Sequence, residues 1–280
     1  MIKVTTVIQA RMSSSRLPGK VLLPLAGKPL LVRMIERVKA SEHCGRVVVA
    51  TTYLNDDDPI VDLCKKNSIS FYRGHPDDLL DRHLNVGKKY NSNAVVKIPS
   101  DCPLIDPAVI DKVIKHYLDN YTSLDYVSNL HPPTYPDGND VEIFSLECLE
   151  KAWEEAGKEL EREHTTPYFW ENPDKFKIGN VTWEAGLDYS MSHRFTIDYE
   201  EDYNFIASIY NELYDENKTF SLYDILSLLD EKPELSKINE KYLGVNWYRH
   251  HLNELKTISE KNTKILLDEK SKTRIREYRT

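Results

Sequence analysis

No CxxC pair occurs in the chain; its four cysteines, Cys44, Cys64, Cys102 and Cys148, lie far apart. That spacing argues against a zinc module or a secreted disulfide framework, and all four are read as reduced thiols. There is no basic excess either, with 37 Lys and Arg against 45 Asp and Glu and a net charge of -8. Duplex nucleic acid demands clustered cations, so it is not expected as a partner. A long hydrophobic run is also missing. Lys3 precedes an apolar stretch that ends at Ile8, too short for a signal-peptide core or a membrane span. A cytoplasmic protein without a membrane partner is the expectation. Finally, there is no GxGxxG, and Gly27-Lys28 runs into Pro29 where a Walker loop needs Ser or Thr. Both common glycine-rich phosphate loops are thereby excluded.

What remains is ordinary globular material: 280 residues, 40% hydrophobic and 29% charged. The first hundred residues alternate β-branched runs with helical stripes, the form of a parallel sheet with crossover helices. Strands are predicted at 3–9, 46–51, 69–72 and 94–98, with helices over 30–39, 57–66 and 77–90. Pro107 opens another helix, for which Asp106 is the candidate cap. Beyond about Leu124 the pattern predicts short strands at 125–128, 141–144, 176–181 and 194–197, with helices over 146–156 and 164–171. After Ile197 only helices are expected, ending in a charged tail. The late aromatics, among them Trp170, Trp247 and Tyr248, are read as packing residues before stacking platforms.

Three segments carry chemistry. Gln9-Ala10-Arg11-Met12-Ser13-Ser14-Ser15-Arg16-Leu17-Pro18-Gly19-Lys20 directly follows the first strand. Ligands of such sheets bind beyond the strands' carboxyl ends. Small residues there leave backbone N–H groups open to an anion, and Arg11, Arg16 and Lys20 are spaced to wrap a polyphosphate. The second segment is Pro99-Ser100-Asp101-Cys102-Pro103, which places Asp101 in a stiff turn after a buried strand, suited to holding a hard cation. The third, Arg194-Phe195-Thr196-Ile197-Asp198, again ends in an acid; alone, Asp198 serves equally well as a helix cap. Arg194 is open to two readings, an ion pair with Asp198 or an acceptor contact.

Taken with RVVVATT, RGHPDDLLDRH, VVKIPSDCPLID, DGNDVEIFS, REHTTPYF and HRFTIDYEEDY, these runs resemble the spore-coat polysaccharide cytidylyltransferase-like family. That family is a relative of the acylneuraminate and 3-deoxy-manno-octulosonate cytidylyltransferases. The resemblance covers about residues 3–240. It implies a three-layer α/β/α nucleotide-diphospho-sugar transferase (GT-A-like) fold with a mostly parallel mixed sheet. It also implies transfer of CMP from CTP to a small acidic acceptor with release of pyrophosphate. A nucleotidyltransferase domain would span 1–240, with 125–180 as acceptor and dimerisation part of a homodimer, followed by a charged helical tail over 241–280. By position, Gln9, Ala10, Arg11, Ser14, Arg16 and Lys20 fall in the triphosphate loop, and Asp101 and Asp198 match the two Mg2+-binding aspartates. Arg11, Lys20 and Asp101 would carry catalysis. Asp81 and Arg82 match a segment near the base, and Asp140, Glu142, His164 and Arg194 stand on the acceptor side. Ser13 and Ser100 depart from the family's usual small residues. A glycosyltransferase or a non-catalytic nucleotide-sugar-binding protein on the same fold is the competing expectation.

Overall fold

The computed structural model describes residues 2–215 and 217–266. Four strands, β1 (Val4–Gln9), β2 (Arg46–Thr52), β3 (Ser70–Gly74) and β4 (Ala94–Pro99), pair in parallel. Their side chains alternate between two cores: Val7, Val48 and Val95 point to one, Ile8, Val49 and Val96 to the other. A strand covered on both faces reads as a continuous apolar run, which is how these segments appear in the sequence. The crossovers are α1 (Leu30–Lys39), α2 (Asp58–Lys66), α3 (Leu79–Lys89) and α4 (Pro107–Asp119). Asp106 caps α4, its carboxylate accepting from the Ala108 N–H at 2.7 Å.

The second half adds β5 (Tyr126–Ser128), β6 (Glu142–Ser145), α5 (Leu146–Glu155), α6 (Glu159–His164), α7 (Pro167–Trp170) and β7 (Ile178–Asn180). Helices α8 (Glu200–Leu213) and α9 (Leu222–Glu231) follow. The seven strands lie in the order β3-β2-β1-β4-β6-β5-β7, with β6 antiparallel to both neighbours. Helices α1, α2, α4, α8 and α9 cover one face, and α3, α5, α6 and α7 the other. This is the expected three-layer α/β/α arrangement with a mostly parallel mixed sheet.

Three local expectations are corrected. Residues 194–197 form no strand: one bridge joins Asp137 to Arg194, and the Ile197 N–H donates to the Asp101 carbonyl at 2.9 Å. The segment is stitched between two loops instead of entering the sheet. The helix expected over 164–171 breaks in two because Thr165 adopts φ 67° and Pro167 follows, a residue that starts a helix but cannot continue one. In the tail, the described residues 241–266 hold short 3₁₀ turns, at Trp247–His250 and Glu260–Asn262, where α-helix was expected. Leu255 and Ile258 are buried against the core that contains α3 and α7. Residues 267–280 of that tail lie outside the described residues. No described helix is long and apolar enough to cross a membrane.

Candidate active site

A cavity of about 470 Å3 opens at the carboxyl ends of β1 and β4, where an open α/β sheet holds its ligands. Gln9, Ala10, Arg11, Ser14, Arg16 and Lys20, from the end of β1 and the loop after it, line it together with Asp101, Asp140, Glu142, His164, Arg194 and Asp198. Arg82 also faces it. Asp81 does not: its carboxylate accepts from Trp153 Nε1 at 3.1 Å, on the surface of α3. The structure thus gathers every predicted site residue except Asp81.

The loop after β1 is held by its own backbone and by one acid. The Ser14 and Gly19 N–H groups both donate to the Met12 carbonyl at 2.9 Å, and Gly19 takes φ 71°, a conformation cheap only for glycine. The Met12 N–H donates to Asp57 Oδ1 at 2.7 Å, so a buried aspartate from the next crossover fixes where the loop starts. Lys20, almost fully buried, reaches Asp101 Oδ2 at 3.0 Å, Asp198 Oδ1 at 3.3 Å and the Ile197 carbonyl. Arg16 NH2 lies 2.6 Å from Asp198 Oδ1. Among the described residues Arg11 makes only a long contact, 3.8 Å, to Glu163.

Asp198 is not a helix cap. Asp202 does that work, its Oδ2 accepting from the Asp198 and Tyr199 N–H groups at 3.0 Å each. Burial disfavours charge at Asp198, yet Lys20, Arg16 and Arg194 together pull its carboxyl well below the usual range. Arg194 is the hub behind this. Its Nε and NH2 grip Asp202 at 2.9 and 3.1 Å, NH2 also holds Asp198 Oδ2 at 3.0 Å, and NH1 holds Asp137 and the Val245 carbonyl. With every guanidinium nitrogen engaged, Arg194 resolves to the ion-pair reading and not to an acceptor contact.

The chain matches the model of the cytidylyltransferase family over residues 5–229. It belongs to that family. A solved cytidylyltransferase from Leptospira borgpetersenii superposes with a TM-score of 0.79 at 38% identity, covering 84% of this chain and 97% of that one. The spore coat polysaccharide biosynthesis protein SpsF of Bacillus subtilis is 28% identical over 86% of this chain and 99% of its own length. The 3-deoxy-manno-octulosonate cytidylyltransferase of Geobacter sulfurreducens is 32% identical over 42% of this chain and 47% of its own. The chain is therefore a nucleotidyltransferase enzyme.

The far end of this cytidylyltransferase's cavity is acidic and aromatic. Gly138, at φ 104°, lets the chain pass so close to Phe195 that an added Cβ would stand 2.5 Å from its backbone. That approach brings Asp137 and Asp140 inward. Burial, with Asp101 and Glu142 nearby, raises the Asp140 carboxyl to about 6 against the pull of the Gly138 N–H. Glu142 has both oxygens occupied, by Lys97 and by Tyr126 OH at 2.6 Å, so it supports Lys97 and does not itself reach outward. His164 stacks on Trp247 with ring centroids 3.8 Å apart; burial, then Lys97, holds it neutral, at about 3. His131 stacks on Trp170 at 4.5 Å.

The sequence reasoning missed Lys97, Asp137 and Asp202, and ranked packing above stacking for Trp247. A lysine inside the apolar run AVVKIP was a visible signal for Lys97, and Asp137 stands in the DGND run. Asp202 is three residues into the α8 turn, a capping-box position. Trp247 was read as a packing residue before a stacking platform, because nothing local says that the tail folds back over the cavity.

Proposed function

We propose that this cytidylyltransferase transfers CMP from CTP to a small acidic sugar or similar hydroxylated acid and releases pyrophosphate. The observation that carries the reading is the convergence of Asp101 and Asp198 on one cationic point, the Lys20 ammonium, beside a loop that brings Arg16 to the same place. Two carboxylates able to share one cation fit the donor set of Mg2+, which takes one or two protein carboxylates and completes its shell with phosphate and water. Asp101 and Asp198 would hold the ion, and when bound it supplies charge neutralisation at the phosphate oxygens.

The chain's own groups do the rest. Arg16 and Lys20 bind the β and γ phosphates and stabilise the charge that develops there as the bond from the α-phosphorus to the bridging oxygen breaks. An acceptor oxygen forms the new bond to the α-phosphorus; the Asp140 carboxylate, its pKa raised to about 6 by burial, takes the acceptor proton. Lys97 offers an ammonium to the acceptor end, and the Trp247 and Trp170 rings offer the apolar face that a sugar ring packs against. The acidic acceptor is supported by the name of the relative from Geobacter sulfurreducens, a 3-deoxy-manno-octulosonate cytidylyltransferase.

The test is pyrophosphate release from CTP with a panel of sugar acids that includes 3-deoxy-manno-octulosonate. Acceptor-dependent release is expected, with CTP favoured over UTP, ATP and GTP. CTP binding without release for any acid of the panel would remove the transfer assignment.

A further inference from the structure

Residues 244–264 form a closed loop beyond the stretch that matches the family, 5–229. The two ends meet: the Lys264 N–H donates to the Gly244 carbonyl at 2.7 Å, and the Asn246 N–H to Thr263 Oγ1 at 3.1 Å. The Tyr248 hydroxyl, donating to the Asn262 carbonyl at 2.9 Å, braces the loop from within. Asn246, Trp247, Tyr248, His251 and Ile258 line the acidic, aromatic end of the cavity. At the base Arg194 NH1 holds the Val245 carbonyl at 2.8 Å. On the far side the hold is a single carboxylate. Glu171, directly after α7, accepts from the Lys256 N–H at 2.7 Å through Oε2, and through Oε1 from the Thr257 N–H at 2.9 Å and the Thr257 hydroxyl at 2.6 Å. Because that hydroxyl gives its proton to Glu171, it can only accept from His131 Nε2, 3.0 Å away. Burial works against charge on Glu171, yet the Thr257 and Lys256 donors outweigh it and hold the carboxyl below its usual range. Hydrogen bonds to an ionised acceptor are the strong ones, and three of them meet on this one side chain.

We propose that Glu171 is a positioning residue that latches the 244–264 loop over this end of the cavity, so that an acceptor is enclosed there and water is kept from the α-phosphorus. Nucleotidyl transfer has a competing reaction at every turnover. When water attacks, its oxygen forms the new bond to the α-phosphorus, one of its protons passes to Asp140, the bond to the bridging oxygen breaks, and CMP and pyrophosphate leave. Water outnumbers any acceptor, so a transferase gains by shutting it out with a loop that closes over the site. The parts suit that task. Trp247, stacked on His164, and Ile258, 8% exposed, give the loop an apolar underside, while the closed base and the Tyr248 brace let it move as one body when the latch releases.

This inference rests on the CTP reading, and its test needs no acceptor. The full-length protein, Glu171→Gln and Thr257→Val are each given CTP and Mg2+, and CMP and pyrophosphate are followed over time. Trypsin cleavage after Lys256, whose own N–H the carboxylate holds, reads the population of the open loop in parallel. Glu171→Gln keeps the size and removes the charge. Losing a hydrogen bond to a charged group moves the balance toward the open loop by about tenfold, so acceptor-free hydrolysis and cleavage after Lys256 should each rise about tenfold while CTP affinity stays within about twofold of wild type. Thr257→Val, which removes the hydroxyl donor alone, should move both rates the same way by a smaller factor. A general loss of structure would lower the catalysed rate, whereas an opened latch raises it. Melting curves show whether each variant is folded, and if Glu171→Gln is not, Thr257→Val carries the test. Faster cleavage with unchanged or slower hydrolysis would reduce Glu171 to a packing contact and overturn the inference, as would no change in either rate. Wild type that binds no CTP overturns the proposed function as well, whereas CTP binding with hydrolysis unmoved in both variants removes this inference alone.

Discussion

Lys20 Nζ lies 3.0 Å from Asp101 Oδ2, although 81 positions separate the two residues in the chain. The parallel pairing of β1 with β4 makes this contact possible: Gln9 stands beside Pro99 in the register, so the turn after each strand opens on the same side. The cation proposed to bind phosphate and the acid proposed to hold the metal are thereby built from two adjacent strand ends.

Asp101→Asn should lower acceptor-dependent pyrophosphate release by about 10²–10³, the cost of removing one charged group at a developing transition-state charge. The same variant should melt within a few degrees of wild type, because Lys20 keeps Asp198 and the Ile197 carbonyl. Initial rates at saturating CTP, with a melting curve beside them, check both halves. A rate within threefold of wild type would remove Asp101 from the chemistry.

Asp140 predicts a pH dependence with a definite sign. Its folded pKa, about 6, exceeds the ordinary carboxyl value, so the native state binds more protons than the unfolded chain between about pH 4 and pH 6. Stability from this group is therefore present below the unfolded value and is lost as pH rises through 6. Asp140→Asn should raise the melting temperature by a few degrees at pH 7.5, and the gain should vanish near pH 4. Activity moves the other way: kcat/KM of wild type should rise through pH 6 as the base ionises, and the Asn variant should lose that limb.

How much of this was legible in the sequence depends on how local the signal is. The parallel half of the sheet, the basic loop and Asp101 were readable because buried strands and the turns after them are contiguous in the chain. Arg194 was ambiguous because its role is set by Asp137, Asp202 and Val245, which no spacing rule connects. The supposed strand at 194–197 has the right composition, yet its backbone is claimed by Asp101 and Asp137 instead of by a neighbouring strand. Asp81 failed for a simpler reason. It sits next to Arg82, but successive residues on a helix point about 100° apart, and only one of the two can face the cavity.

Trp247→Ala should separate acceptor binding from nucleotide binding. The ring packs on His164 at the acceptor end, so its removal should raise the acceptor KM about tenfold while the CTP dissociation constant changes less than twofold. Since burial keeps His164 neutral across the working range, the acceptor KM should show no inflection near pH 6.5. Steady-state kinetics at several pH values, paired with CTP titration, measure both. A matching loss of CTP affinity would place Trp247 on the nucleotide side.

Gly138→Ala tests the close pass beside Phe195. A methyl there would collide with backbone at 2.5 Å while the residue keeps φ 104°, and backbone does not yield as a side chain does. A loss of about 2–4 kcal/mol is expected from combined strain and displacement, read as a lower urea midpoint with an unchanged slope. A midpoint equal to wild type would show that the loop relaxes without cost.

Because one guanidinium, that of Arg194, holds the Asp198 carboxylate and the Val245 carbonyl at once, the wall proposed to meet the acceptor and the acid proposed to serve the nucleotide are not separate modules. A chimaera that transplants the 241–266 segment of another protein, in order to exchange acceptors, must bring with it a carbonyl at the same place. Without one, the graft would be felt first as a fault in handling CTP, long before any new acceptor could be judged.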